Sequence, residues 1–211
     1  MAINSKSDIC NLALGHLGNY GTVSDIDTPT NDKERTFALW YDITRQTTLK
    51  LLMPNFSLAR KATSKVIGLD DVGSGYEFAY EYPVDCLKLL GVGDIDLKDL
   101  SISVETSGGS TRIFTDIDYT DGMPIRYIKD ISIVTAMSPE YKMYLSFELA
   151  ANVAVAITQD PAKAAMIIKQ LPGKMASLSA LNAQENPPIR INNSKFKAAR
   201  FGALSHNPSK L

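Results

Sequence analysis

Histidine and cysteine, the side chains that most often hold metals or carry nucleophilic chemistry, are scarce: two of each in 211 residues. Cys10 and Cys86 are too few for a disulfide framework. Each lies among apolar neighbours, so both read as reduced, buried thiols acting as small hydrophobes. His16 belongs to an apolar helical stretch and His206 to a polar C-terminal segment; neither has a partner at ligand spacing, which argues against zinc. An excess of charge is also missing. Lys and Arg number 22 against 23 Asp and Glu, and a net charge of −1 provides no global attraction to nucleic acid or an anionic membrane. No apolar run approaches the ~20 residues of a membrane span, and Met1-Ala2-Ile3-Asn4-Ser5-Lys6 lacks the basic region and apolar run of a secretory signal. The expectation is a soluble protein made in the cytoplasm, with no membrane partner.

A chain of this length buries one good core, or a core with a small satellite, so one domain with an insertion is expected. Ile9, Leu12, Ala13, His16 and Leu17 recur at helical spacing between Ser5 or Ser7 as cap and Gly18 as stop. Residues 19–30 hold turn-formers and no period. Asn31 or Asp32 then caps a helix to about Met53, carrying Phe37, Trp40, Tyr41, Thr44, Thr48, Leu51 and Leu52 and ended by Pro54. A short helix is expected at Phe56–Thr63.

From Ser64 to Met137 glycines punctuate runs of Val, Ile, Tyr and Thr, which is strand composition. Candidate strands are Tyr76–Tyr82, Cys86–Val92, Leu100–Glu105, Thr111–Thr115, Ile125–Ile128 and Ile131–Thr135, with Ser107-Gly108-Gly109-Ser110 as a hairpin turn. Ser138-Pro139-Glu140 starts a third helix running to Thr158, and Asp160-Pro161 a fourth running toward Leu181 with a break at Pro172-Gly173. The fold class is α+β: an antiparallel bundle of about four helices, an inserted small antiparallel β-domain and an extended C-terminal tail. The segments are residues 1–63 and 138–182 for the two halves of the bundle, 64–137 for the insertion and 183–211 for the tail.

An enzyme should show convergent nucleophiles, bases or ligands, and none is assembled. Gly73-Ser74-Gly75 has neither the full nucleophile-elbow pattern nor the lysine and following helix of a phosphate loop, and reads as a turn. Glu77 with Glu81, or Glu34 with Asp42, could supply the paired carboxylates of glycoside hydrolysis, but acids are numerous enough for chance proximity. Asp116, Asp118 and Asp121 lack the Gly and closing Glu of a calcium loop. No metal, cofactor or catalytic residue is assigned.

One charge feature is uneven. Beyond Asn182, the chain carries Arg190, Lys195, Lys197, Arg200 and Lys210, with Phe196 and Phe201 among them and no acid after Glu185. No core can be built from this composition, so a segment that orders on a partner surface, anchored by its phenylalanines, is expected. Its cations could also meet phosphates without a fold, though they form no structured groove.

Several strings resemble one family. Ile9-Cys10-Asn11-Leu12-Ala13-Leu14-Gly15-His16-Leu17-Gly18 resembles the opening helix of the head-to-tail adaptors of short-tailed bacteriophages, also known as tail tubular protein A or tail accessory factor. Tyr41-Asp42-Ile43-Thr44-Arg45 continues the likeness, while Pro54-Asn55-Phe56-Ser57-Leu58-Ala59 departs from the family's Pro-Trp-x-Phe-Ala. Tyr80-Glu81-Tyr82-Pro83-Val84-Asp85-Cys86-Leu87-Lys88-Leu89-Leu90 is the strongest match. Pro139-Glu140-Tyr141 and the Ala-rich helix ending in Thr158-Gln159-Asp160 follow in order.

The resemblance implies a non-enzymatic virion subunit, assembled in the host cytoplasm as a ring, typically of twelve copies, in the tail and neck region. Such a ring docks beneath the portal protein, extends the DNA channel without sequence-specific DNA binding, and presents a surface for the tail nozzle or the tail-spike or fibre protein. Heterologous contacts between neighbours suit such a ring. Phe37, Trp40 and Tyr41 are the expected ring interface, and Arg190, Lys195, Phe196, Lys197, Arg200 and Phe201 the expected portal interface. Some family members have been credited with cleaving peptidoglycan, so a virion-associated peptidoglycan hydrolase is the alternative.

Overall fold

The computed structural model describes residues 3–19, 21–66, 75–107 and 109–185. Within them the chain is α+β, with four α-helices and two small antiparallel sheets. Helix starts follow local chemistry. In α1 (Lys6–His16) the Ser5 hydroxyl accepts from the Asp8 backbone N–H while the Asp8 carboxylate accepts from the Ser5 N–H, closing a capping box. Asn31 and Glu34 repeat the device at the start of α2 (Asp32–Leu52), which ends at Met53 in the left-handed conformation, φ 46°, before Pro54. Ser138 caps α3 (Pro139–Thr158) with Pro139 in the first turn.

Helix α4 (Pro161–Glu185) runs through Pro172, where a break was expected. Pro172 is exposed, and Leu171, Met175 and Leu178 hold the same face of the helix against the core on both sides of it. The loss of one ladder bond is tolerated because packing secures both flanks.

Among the described residues seven strands lie between α2 and α3: β1 (Leu58–Thr63), β2 (Phe78–Glu81), β3 (Cys86–Val92), β4 (Ile95–Asp96), β5 (Ile102–Ser107), β6 (Ser110–Thr115) and β7 (Met123–Lys129). One sheet has the order β1-β7-β3-β4 and the other β2-β6-β5. The β5–β6 hairpin closes with Ser107 opposite Ser110, and Gly109 adopts φ +79° in its turn. Gly91 is required for a different reason: a Cβ there would lie 2.1 Å from the Ile95 carbonyl oxygen.

Two elements differ from expectation. Phe56–Thr63 is not a helix: a 3-10 turn at Asn55–Ser57 leads into β1, which pairs with β7 from Leu58 opposite Ile128 to Thr63 opposite Met123. The ladder outweighs the helical preference of Leu, Ala, Arg and Lys. Ile131–Thr135 is not a strand. Its end turns as a 3-10 segment, Val134–Ala136, that buries Val134 among the helices.

Helix α3 packs on α1, α2 and α4. The core of this layer includes Ile9, Leu14, Phe37, Tyr41, Leu49, Tyr141, Leu145 and Leu149, and it also takes in Ile128 of β7. The neighbouring Tyr127 instead joins a second cluster with Tyr80, Leu89, Ile113, Met123 and Ile125. The four-stranded sheet is thus the middle layer, with helices on one face and the three-stranded sheet on the other. Register shifts in β3 break its strict alternation, so Leu87 and Leu90 pack toward the helices while Cys86, Leu89 and Val92 pack toward the sheets.

Candidate functional site

The residues that carry the sequence motifs sit where layers and loops are joined. Asn11 clips the loop after α1 like a short strand pair: its Oδ1 accepts from the Val23 N–H at 2.7 Å and its Nδ2 donates to the Val23 carbonyl at 3.0 Å. Glu34 is buried and gathers the same loop. Its carboxylate accepts from the Thr30 N–H at 2.7 Å, the Ser24 N–H at 3.0 Å and the Thr30 hydroxyl at 2.9 Å. Those donors favour the ionised form and hold its pKa down to about 2.

Arg45 ties three elements together. Its buried guanidinium donates to the Asp130 carboxylate, to the Ile131 carbonyl at 2.7 Å and to Asp42 at 3.2 Å. Its own carbonyl accepts from the Tyr141 hydroxyl of α3 at 2.9 Å, and Gln46 donates to the other Asp130 oxygen at 2.9 Å. Asp85 secures the far side of the same corner: its carbonyl accepts from the Asp130 N–H at 2.8 Å and its carboxylate from the Tyr127 hydroxyl at 3.3 Å. The Tyr-Asp-Ile-Thr-Arg and Tyr-Pro-Val-Asp-Cys strings therefore meet at the exit of β7.

The same geometry accounts for the candidate catalytic groups. Glu34 and Asp42 are occupied with Thr30 and with Arg45, on opposite tasks of one helix. Glu77 and Glu81 are both exposed, Glu77 in the bend before β2 and Glu81 at the end of that strand. Asp118 pairs with Lys65 at 2.9 Å, and Asp116 and Asp121 are exposed. Among the described residues no cluster of three or more His, Cys, Asp or Glu is placed to hold a metal. Gly73 and Ser74 lie outside the described residues.

One pairing was not legible beforehand. His16 Nε2 lies 2.9 Å from Ser146 Oγ, with the imidazole stacked on Phe147 at 3.8 Å between centroids. The Ser146 hydroxyl also donates to the Met143 carbonyl of its own helix at 2.7 Å, which competes for the proton that an activating base would take. Burial, aided by Lys174, lowers the His16 pKa and favours the neutral ring. Cys10 is buried, with its thiol pushed up to about 12 by desolvation. Cys86 is half-buried, its thiol also raised by desolvation, so the expected pair of fully buried thiols holds for Cys10 alone.

The expected ring interface divides. Phe37 and Tyr41 are buried in the chain's own core and are unavailable to a neighbour; Trp40 is 40% exposed. Helical geometry sends positions 37, 41, 44, 48 and 52 inward and leaves Leu39, Trp40, Ile43 and Leu51 outside, where Leu39 is 72% and Ile43 62% exposed. The i, i+4 pair Leu39 and Ile43 was the signal of a second apolar face. The expected portal interface, Arg190, Lys195, Phe196, Lys197, Arg200 and Phe201, lies outside the described residues.

Clefts complete the surface. One of about 460 Å³ opens between the sheets, beside Lys61, Thr63, Tyr82, Pro83 and Arg112. Another, of about 340 Å³, runs between the start of α3 and the end of α4. In comparisons with known proteins, no family model and no curated protein matches the chain.

Proposed function

We propose that this chain is a structural head-to-tail adaptor of a short-tailed phage. In this reading copies form a ring, dodecameric as is typical of the family it resembles, beneath the portal protein in the tail and neck of the virion, after assembly in the host cytoplasm. The ring extends the DNA channel without reading sequence and offers a surface to the tail nozzle or to tail-spike or fibre proteins. The two helical segments act as one bundle, the β-rich segment as its insertion and the residues beyond α4, 186–211 rather than the 183–211 expected, as the portal-binding tail. No catalytic step is assigned.

The observation that carries this reading is the outer face of α2, where Leu39, Trp40, Ile43 and Leu51 line up beyond the chain's own core. Exposed apolar side chains gathered on one helix face offer an interaction surface, and a ring needs a patch that meets a different patch on its neighbour. The motif residues support it in another way. Asn11, Arg45 and Asp85 give their hydrogen bonds to joining layers, as expected of a scaffold.

Light scattering coupled to gel filtration, on the protein alone and mixed with its cognate portal ring, tests the proposal. A monomer that becomes a large stoichiometric complex supports it, and Trp40→Glu with Ile43→Glu should abolish that complex while leaving the monomer's circular dichroism intact. Deleting residues 187–211 should likewise leave a folded monomer that no longer docks. A native chain that ignores the portal refutes the adaptor reading.

A further inference from the structure

The groove between α3 and α4 is lined by Pro139, Glu140, Met143, Tyr144, Leu178 and Leu181. Met143 and Leu181 are open to solvent on its walls although Tyr144 and Leu178 beneath them are buried. The adjoining face of the end of α4 is already engaged: the Asn55 N–H donates to Asn182 at 2.9 Å, and Asn55 Nδ2 donates to the Asn182 carbonyl at 3.1 Å. The groove is therefore the uncovered side of a helix end that is otherwise held.

Charge distinguishes the occupants it suits. Glu140 is the acid of the groove's lining, and Glu148, outside the lining, accepts from the hydroxyl of the lining residue Tyr144 at 2.6 Å. The one cation of the lining, Lys174, holds its ammonium over the Phe147 ring at 4.8 Å. An apolar anchor flanked by cations is the complement of such a site.

Residues 186–211 follow directly from this helix and contain five cations and no acid. Within them Lys195-Phe196-Lys197 sets one phenylalanine between two lysines. Reach is ample: the 11 residues from Glu185 to Phe196 span up to about 36 Å when extended, whereas Leu178 lies only about 10 Å back along α4. Asn186-Pro187-Pro188, immediately after the helix, is suited to turning the chain away from the helix axis.

We propose that the chain's own residues 195–197 dock back on the α3–α4 groove, with Phe196 seated between Met143 and Leu181 and the two lysines facing the Glu140 side. The tail and the groove then form an intramolecular contact at high effective concentration, needing neither a portal nor a second copy. A partner that uses Phe196 must first take it from this groove, so the contact sets a threshold for tail engagement.

The tail carries natural trypsin sites, which permits a test on the full chain. Cleavage after Lys195 and Lys197, followed by mass spectrometry, should be slow relative to an unstructured control peptide of residues 186–211. Met143→Asp, Leu181→Asp and Phe196→Ser should each accelerate it by about tenfold, because cleavage tracks the undocked fraction. Glu140→Lys should do the same through charge, at an exposed position in the first turn of α3. Thermal unfolding of each variant reports whether the fold is retained. Equal cleavage rates in the native chain, the control peptide and the Glu140→Lys variant overturn the proposal. Protection that disappears on dilution, together with a dimer in light scattering, assigns the groove to a second copy and also overturns it.

Discussion

Replacing Arg45 with methionine keeps most of the side chain's apolar bulk and removes the charged group that joins α2 to the exit of β7. The guanidinium is buried, and without it the Ile131 carbonyl loses a 2.7 Å hydrogen bond while Asp130 retains only Gln46 and its own partial contact with water. Breaking a buried pair by removing one partner costs about 3–5 kcal/mol. Because Asp130 is 24% exposed and can recruit water, the lower end, about 3 kcal/mol, is expected. For a chain of this size that corresponds to a fall of roughly 6–12 °C in Tm.

Arg60→Met is the matched control. Arg60 pairs with Asp94 at 3.0 Å, but both side chains are exposed, and such pairs contribute at most about 1 kcal/mol. Urea unfolding followed by far-ultraviolet circular dichroism compares the two variants, with Asp130→Asn completing a double-mutant cycle for Arg45. If Arg45→Met costs no more than Arg60→Met, the corner is not held by this network and the role assigned to the Tyr-Asp-Ile-Thr-Arg string fails.

Three further outcomes are expected. Glu34 has a folded pKa of about 2 against an ordinary 4.5, so its contribution to stability is complete above pH 4.5 and is lost as pH falls toward 2; Glu34→Gln should flatten that part of the stability profile. Asn11→Ala removes both bonds to Val23 and should cost about 1–3 kcal/mol, with hydrogen exchange at the Val23 amide accelerating first. Cys10, buried with its thiol at about 12, should resist alkylation at pH 8 until the protein unfolds, and rapid labelling of the native chain there contradicts its placement.

Much of this molecule is local chemistry that a sequence displays directly. Ser5 with Asp8, Asn31 with Glu34, and Ser138 with Tyr141 start their helices through contacts three residues apart, so no distant element is needed to place them. Cys86–Val92 and the Ser107–Ser110 hairpin are likewise legible, since turn residues and β-branched or apolar runs coincide. Tertiary structure decided the rest. Leu58–Thr63 has helix-forming composition and becomes a strand because β7 offers it a complete ladder; Ile131–Thr135 has strand composition but gains no partner ladder. Pro172 stays within α4 because both flanks are packed. Which side of α2 faces the core was also undecided, since both its faces carry apolar residues. Only contact with α1 and α3 turned Phe37 and Tyr41 inward and left Trp40, Leu39 and Ile43 outside. A period of 3.6 residues identifies stripes on a helix, and the neighbours available for burial choose between them.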